Sequence, residues 1–116
     1  MKVTRLYTGN DQKSYFDELE LKFGGDQKIL TSESRPATMV VFRCVPAGTV
    51  LDRHPAPRRQ YLVTLSGSWE IEANQGVKRV FKTGDVMLAD DTTGEGHISR
   101  VIGNEPHIFM TVPLAD

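Results

Sequence analysis

The chain has 116 residues, room for one small domain with a single apolar core and not for two. Its 14 basic and 15 acidic residues are well mixed and leave a net charge of -1. That balance excludes the basic footprint of a nucleic-acid binder and the polybasic patch that holds a protein on an anionic membrane.

No apolar stretch has the length of a membrane span, and the opening MKVTRLYTGN lacks the apolar segment of a signal peptide. A single cysteine, Cys44, cannot form an internal disulfide and fits a reducing, cytoplasmic setting. It lies in the apolar run MVVFRCV, where a small buried hydrophobe is expected rather than a reactive thiol.

In chain order, KVTRLYT reads as an opening strand with Val3 and Leu6 as its apolar contributions. In SYFDELELKF, Leu19, Leu21 and Phe23 follow period two, whereas Phe16, Leu19 and Phe23 would suit a helix face. A strand is preferred, because Gly24-Gly25 ends the run and its surroundings are β. GGDQKILTSESRP is polar, is broken by Gly and Pro, and predicts a loop or arm. ATMVVFRCV predicts a strand through the core, and PAG a turn into the strand TVLDRH. The segments QYLVTL, SWEIEA, VKRVF, VMLA, HISRVI and HIFMTVPL follow as strands, joined by SG, NQG, KTG, DDTTGEG and GNEP. In SWEIEA, Trp69, Ile71 and Ala73 share one face, and Glu70 and Glu72 the other.

About ten short strands without crossover helices predict an all-β closed barrel or jelly roll, with an immunoglobulin-like sandwich as the competitor. There is no repeat and no internal domain boundary. Residues 1–36 read as N-terminal strands and an arm packing on a barrel formed by residues 37–116, one domain in all.

The glycines decide between barrel and sandwich. Gly48, five residues, His54, one residue, Ala56, three residues, Gln60, six residues and Gly67 keep the spacing of the first cupin motif. That motif carries histidines at the positions of His54 and Ala56 and a glutamate at that of Gln60. With sixteen residues between it and Gly67, a second frame opens at Gly84 and closes on His97, two residues later than in the family's pattern. Asp90 and Thr92 stand where that second motif has proline and glycine. Over residues 37 to 114 the chain therefore resembles a small single-domain cupin, an RmlC-like jelly-roll barrel of double-stranded β-helix type, with a degraded metal motif. HPAPRRQ together with a DTTG-GH stretch resembles small uncharacterised bacterial cupins.

The resemblance implies a central pocket, and a divalent metal (Zn, Fe, Mn or Ni) held there by His54, Gln60 and His97. This is a neutral set, since Ala56 binds nothing and Gln60 keeps an oxygen but brings no charge. Asp90, Asp91 or Glu95 would supply charge if their loop folds inward; the alternative is an apo barrel whose histidines hydrogen-bond at the pocket mouth. The resemblance also implies a homodimer formed through N-terminal strands, for which MKVTRLYT is available.

Without metal, His97 and His54 are candidates for general acid or base, His97 the better because a glycine-flanked loop holds it at a strand start. His107 belongs to neither motif and reads as a surface or packing histidine. On a regular strand Arg58 shares parity with Gln60 and points into the barrel, while Arg59 points out. A buried arginine needs an anion, either Asp90 or Asp91 closing the ADDTTGEGH loop over the pocket, or a carboxylate or phosphate of a ligand. Tyr61, Trp69, Met87 and Phe109 read as core or interface material, and Tyr61, Trp69 and Met87 join Arg58 and Gln60 as candidates to line the pocket. The expected function is a barrel binding a small polar or anionic molecule, as a metal-assisted or His-dependent isomerase, lyase or oxygenase. The alternative is a non-catalytic small-molecule-binding or interaction cupin without metal.

Overall fold

In the computed structural model, which describes residues 1–116, nearly every predicted strand forms. In chain order they are β1 (Lys2–Thr8), β2 (Ser14–Glu20), β3 (Gly24–Gly25), β4 (Leu30–Thr31), β5 (Val41–Val45) and β6 (Val50–His54). β7 (Gln60–Ser66), β8 (Ser68–Glu72), β9 (Lys78–Phe81), β10 (Val86–Asp90), β11 (His97–Ile102) and β12 (His107–Pro113) follow. The helical content is a single 3-10 turn, Asn74–Gly76, in the NQG connection. No helix is long and apolar enough to cross a membrane.

A six-stranded sheet in the order β2-β1-β10-β7-β12-β5 faces a four-stranded sheet, β6-β11-β8-β9, and β3 and β4 pair as a small hairpin in the arm. Neighbours are antiparallel, with β1 and β10 as the parallel exception. This is a jelly roll.

Period-two alternation decides what lies between the sheets. Gln60, Leu62 and Thr64 of β7 are buried, as are Trp69 and Ile71 of β8, and His107, Phe109 and Thr111 of β12. Leu6, Leu62, Trp69, Ile71, Phe81, Met87 and Phe109 belong to one buried cluster, each large apolar side chain contributing roughly 1.5–3 kcal/mol on leaving water. Val3 and Leu6 are an odd number of residues apart and so face opposite ways. Leu6 enters this core, whereas Val3 joins Leu88 and Leu114 in a second cluster on the other side of the sheet, against which Leu19, Leu21 and Tyr61 pack.

Two expectations are corrected, for β5 and β2, and β1 takes an interior place in its sheet. β5 does not run through the core: it ends the six-stranded sheet and pairs with β12 alone, so Phe42 is 67% exposed and Cys44 is exposed rather than buried. β2 stops at Glu20, because its partner β1 begins at Lys2 opposite it. β1 lies between β2 and β10, with both edges hydrogen-bonded, so MKVTRLYT has no free edge to offer a second copy.

Candidate functional site

A cavity of about 500 Å³ opens between the sheets. Its buried lining includes Gln60, Leu62, Trp69, Met87, His97 and Phe109, and its exposed lining, Met39, Arg43, Leu51 and Arg58, marks the open side.

His54 ends β6 and His97 starts β11, and the two are register partners with ring centroids 4.8 Å apart. Gly96 permits this approach. Its φ is +83°, and a Cβ there would lie 2.1 Å from the His54 carbonyl carbon. His54 Nδ1–H donates to the Asp52 carbonyl at 2.6 Å, which leaves Nε2 as the ring nitrogen carrying the free lone pair.

His97 Nδ1–H donates to Asp91 Oδ2 at 2.6 Å, and Ser14 Oγ–H donates to the same oxygen at 2.6 Å. All three residues are buried, Asp91 completely, and Asp91 Oδ1 has no partner. The loop from Asp91 to Gly96 is held from two sides. Ala56 N–H donates to the Asp91 carbonyl at 2.9 Å, while the β1–β2 turn contributes Thr8 Oγ1–H to the Thr93 carbonyl and the Gln12 carbonyl to Glu95 N–H. A carboxylate on Nδ1–H fixes the tautomer and leaves the Nε2 lone pair free.

The arginines differ from expectation. Residues 55–59 are not strand, and β7 begins only at Gln60, so parity does not extend back through the prolines. Gln60 does face the cavity. Arg58 lines the open side but pairs with neither Asp90 nor Asp91, its one side-chain contact being the Met39 sulfur at 4.0 Å. Arg59, expected to point out, stays off the cavity lining and makes the ion pairs instead, with Asp90 at 3.1 Å and Asp116 at 2.7 Å. Asp90 also faces Arg5, and Asp91 is committed to His97 and Ser14. Glu95 is exposed.

Trp69 and Met87 line the cavity, as does Phe109; Tyr61 lies on the opposite side of its sheet, against the second cluster. His107 is a packing histidine and not a surface one. It is stacked on Phe109 at 4.5 Å and Trp69 at 4.9 Å, is bonded to Thr64 Oγ1, and has its pKa lowered to about 4 by burial.

Four cavity or network residues escaped the sequence reading: Ser14, Arg43, Ser99 and Thr111. Arg43 shares parity with Val41 and Val45 in the run VVFRCV, and that alternation is a usable signal. Ser14 carries none.

Neither a protein-family model nor a curated protein matches the sequence. Solved structures do match. A Cupin 2 conserved barrel domain protein from Salinispora arenicola superposes with a TM-score of 0.52 at 19% identity, covering 63% of this chain and 59% of its own. This chain thus spans less than two thirds of that protein. A conserved protein with a double-stranded β-helix domain from Klebsiella pneumoniae gives 0.53 at 25% identity, over 70% of this chain and 75% of its own. A predicted oxalate decarboxylase from Thermotoga maritima gives 0.50 at 18% identity, over 97% and 92%.

The chain has the cupin fold.

Cupins hold metals, so the donors here bear a direct test. Two imidazoles each offer Nε2, Gln60 offers an amide oxygen, and Ala56 fills the second histidine position. No carboxylate lines the cavity, no three His, Cys, Asp or Glu side chains cluster, and two guanidinium groups face the same space. A neutral two-imidazole set, with no carboxylate and two arginines lining the same cavity, does not fit a resident divalent ion.

Proposed function

We propose that this cupin cavity binds a small anionic molecule and that His97, oriented by Asp91, moves a proton to or from it. One observation carries the reading: Arg43 and Arg58 line the cavity without a carboxylate partner, while no acidic side chain lines it. An arginine beside a pocket with no internal anion is matched to a carboxylate or phosphate. That a neighbour of the same fold is a predicted oxalate decarboxylase supports an anionic substrate.

The chemistry follows from what each group is held to do. The guanidinium groups anchor the anion at the open side. His97 Nε2 accepts a proton, and the Asp91 carboxylate stabilises the charge that forms on the ring. His54, whose ring lies 4.8 Å from that of His97, would return a proton to the substrate after its Nε2 has taken one from solvent. Such a pair suits an isomerase or lyase that works by proton transfer; an oxygenase would need the metal that this donor set does not fit.

Two expectations from the sequence stand with this reading. A reducing, cytoplasmic setting is supported by the single exposed thiol, Cys44. A homodimer is supported by the exposed apolar side chains Val40 and Phe42 at the β5 edge.

The test is proton exchange. In deuterium oxide, the protein should wash deuterium into C3 of a 2-oxo acid or C2 of a 2-hydroxy acid from a panel followed by NMR. His97→Gln should abolish exchange and retain acid binding. Exchange that is unchanged in His97→Gln would remove the histidine from the mechanism.

A further inference from the structure

We infer that the ligand is an amphipathic monocarboxylate. Its carboxylate lies at Arg43 and Arg58, its apolar body lies along Trp69 and Phe109, and an oxygen acceptor sits at its far end. The inference rests on the anion-binding reading above and narrows it.

The inner wall supplies the first reason. Half of the lining, nine of eighteen residues, is hydrophobic, and the Trp69 and Phe109 rings are nearly parallel, 10° apart in plane and 5.8 Å between centroids. A phosphate or oxalate ion would leave that surface against a polar solute and gain nothing from it, whereas an apolar ring or branched chain buries area there.

Unpaired polar atoms supply the second. Only three buried side-chain nitrogen or oxygen atoms in the molecule lack a hydrogen-bond partner, and two belong to this lining: Trp69 Nε1 and Thr111 Oγ1. Trp69 is 7% exposed and Thr111 1%. A buried donor left alone costs about 1–3 kcal/mol, so native proteins nearly always satisfy one. An indole N–H only donates, and its complement is therefore an acceptor, a carbonyl or hydroxyl oxygen.

The distribution of charge supplies the third. Both guanidinium groups are on the exposed lining, and no cationic Lys or Arg lines the buried part. A second carboxylate reaching inward would be desolvated without a fixed counter-charge. One carboxylate is what the cavity compensates.

Calorimetric titration with acetate, oxalate, inorganic phosphate, benzoate and 4-acetylbenzoate tests this, 4-acetylbenzoate adding a distal carbonyl to benzoate. Trp69 is the single tryptophan of the chain, so its fluorescence reports occupancy of the cavity independently. Benzoate should bind at least tenfold more tightly than acetate or oxalate, and 4-acetylbenzoate at least tenfold more tightly than benzoate. Arg43→Gln and Arg58→Gln should each weaken every acid. Trp69→Phe should erase the advantage of the carbonyl and leave benzoate binding in place. Thr111→Val, with less packing at stake, should reduce the same advantage. Oxalate or phosphate binding as tightly as benzoate would overturn the amphipathic ligand and keep the anion site. Equal affinity for benzoate and its acetyl derivative would overturn the far-end acceptor. If no acid binds, the anion site itself is wrong.

Discussion

The two ends of the cavity treat their polar groups in opposite ways. At the inner end His97 and Ser14 are buried and both bonded to the buried Asp91, and the loop between Asp91 and His97 is tied to the β1–β2 turn and to the segment after β6. At the open side Arg43 and Arg58 are exposed and have no acidic partner. A group bonded to its own protein reports on folding when it is removed. A group left without a partner reports on binding. Under the proposed function, orientation is built into the fold and recognition falls to the unpaired arginines.

The largest expected effect breaks the inner end. In Gly96→Ala the new Cβ would lie 2.1 Å from the main chain of His54, on a residue with φ of +83°, and neither strand end can retreat without losing its pairing. The variant should lose about 4 kcal/mol or more, or fail to fold, as a calorimetric melt would show. A parent-like melting temperature would place the loop elsewhere.

Next is acid sensitivity, to which His107, stacked on Trp69 and Phe109, contributes. His107 is buried and neutral, with a pKa lowered to about 4 by burial, against about 6.5 when unfolded. Between those values the unfolded chain binds a proton that the folded chain refuses. Stability contributed by neutral His107 is thus complete above about pH 6.5 and lost as pH falls toward about 4, by on the order of 3 kcal/mol. Urea melts at pH 7 and pH 4.5 read the difference, and His107→Gln should flatten it. An unchanged slope in that variant would assign the acid sensitivity to other groups.

Asp91→Ala should cost roughly 2–3 kcal/mol, since Ser14 Oγ–H and His97 Nδ1–H would both lose a buried charged acceptor, and Ser14→Ala roughly 1 kcal/mol. Ser14→Ala should also slow proton exchange while leaving acid binding in place, because it removes one of two donors to the carboxylate that orients His97. A variant that melts lower with an unchanged exchange rate would make Ser14 structural alone.

Much of this was legible in advance, and the failures have physical reasons. The strands were readable because alternation and glycine-bearing turns are local signals, and His54, Gln60 and His97 because two glycine frames set their distances along the chain. All three do line one cavity. Arg58 lines the cavity and Arg59 does not, as parity suggested, although residues 55–59 are not strand; what failed was the pairing, since Asp90 meets Arg59 and Asp91 meets His97. Cys44 was misplaced because an apolar run suits a central strand and a sheet edge equally, and only the pairing partner distinguishes them. The adjacent Asp90 and Asp91 point to opposite sides of one chain, one toward Arg59 and the other toward His97, and which faces inward depends on where β10 ends. The Ser14 contact spans 77 residues of sequence and leaves no local trace.

The smallest expected change in stability gives the sharpest test, because two neighbouring arginines differ in the one respect that matters. Arg59 pairs with Asp90 and Asp116, and Arg58 with no acid. Titrating benzoate into Arg58→Gln and Arg59→Gln while recording each melt compares them directly. Arg58→Gln should melt as the parent does and bind at least tenfold more weakly. Arg59→Gln should lose up to about 1 kcal/mol of stability, as partly exposed pairs do, and bind as the parent does. Binding lost in Arg59→Gln and kept in Arg58→Gln would contradict the assignment of the open side to an anionic ligand.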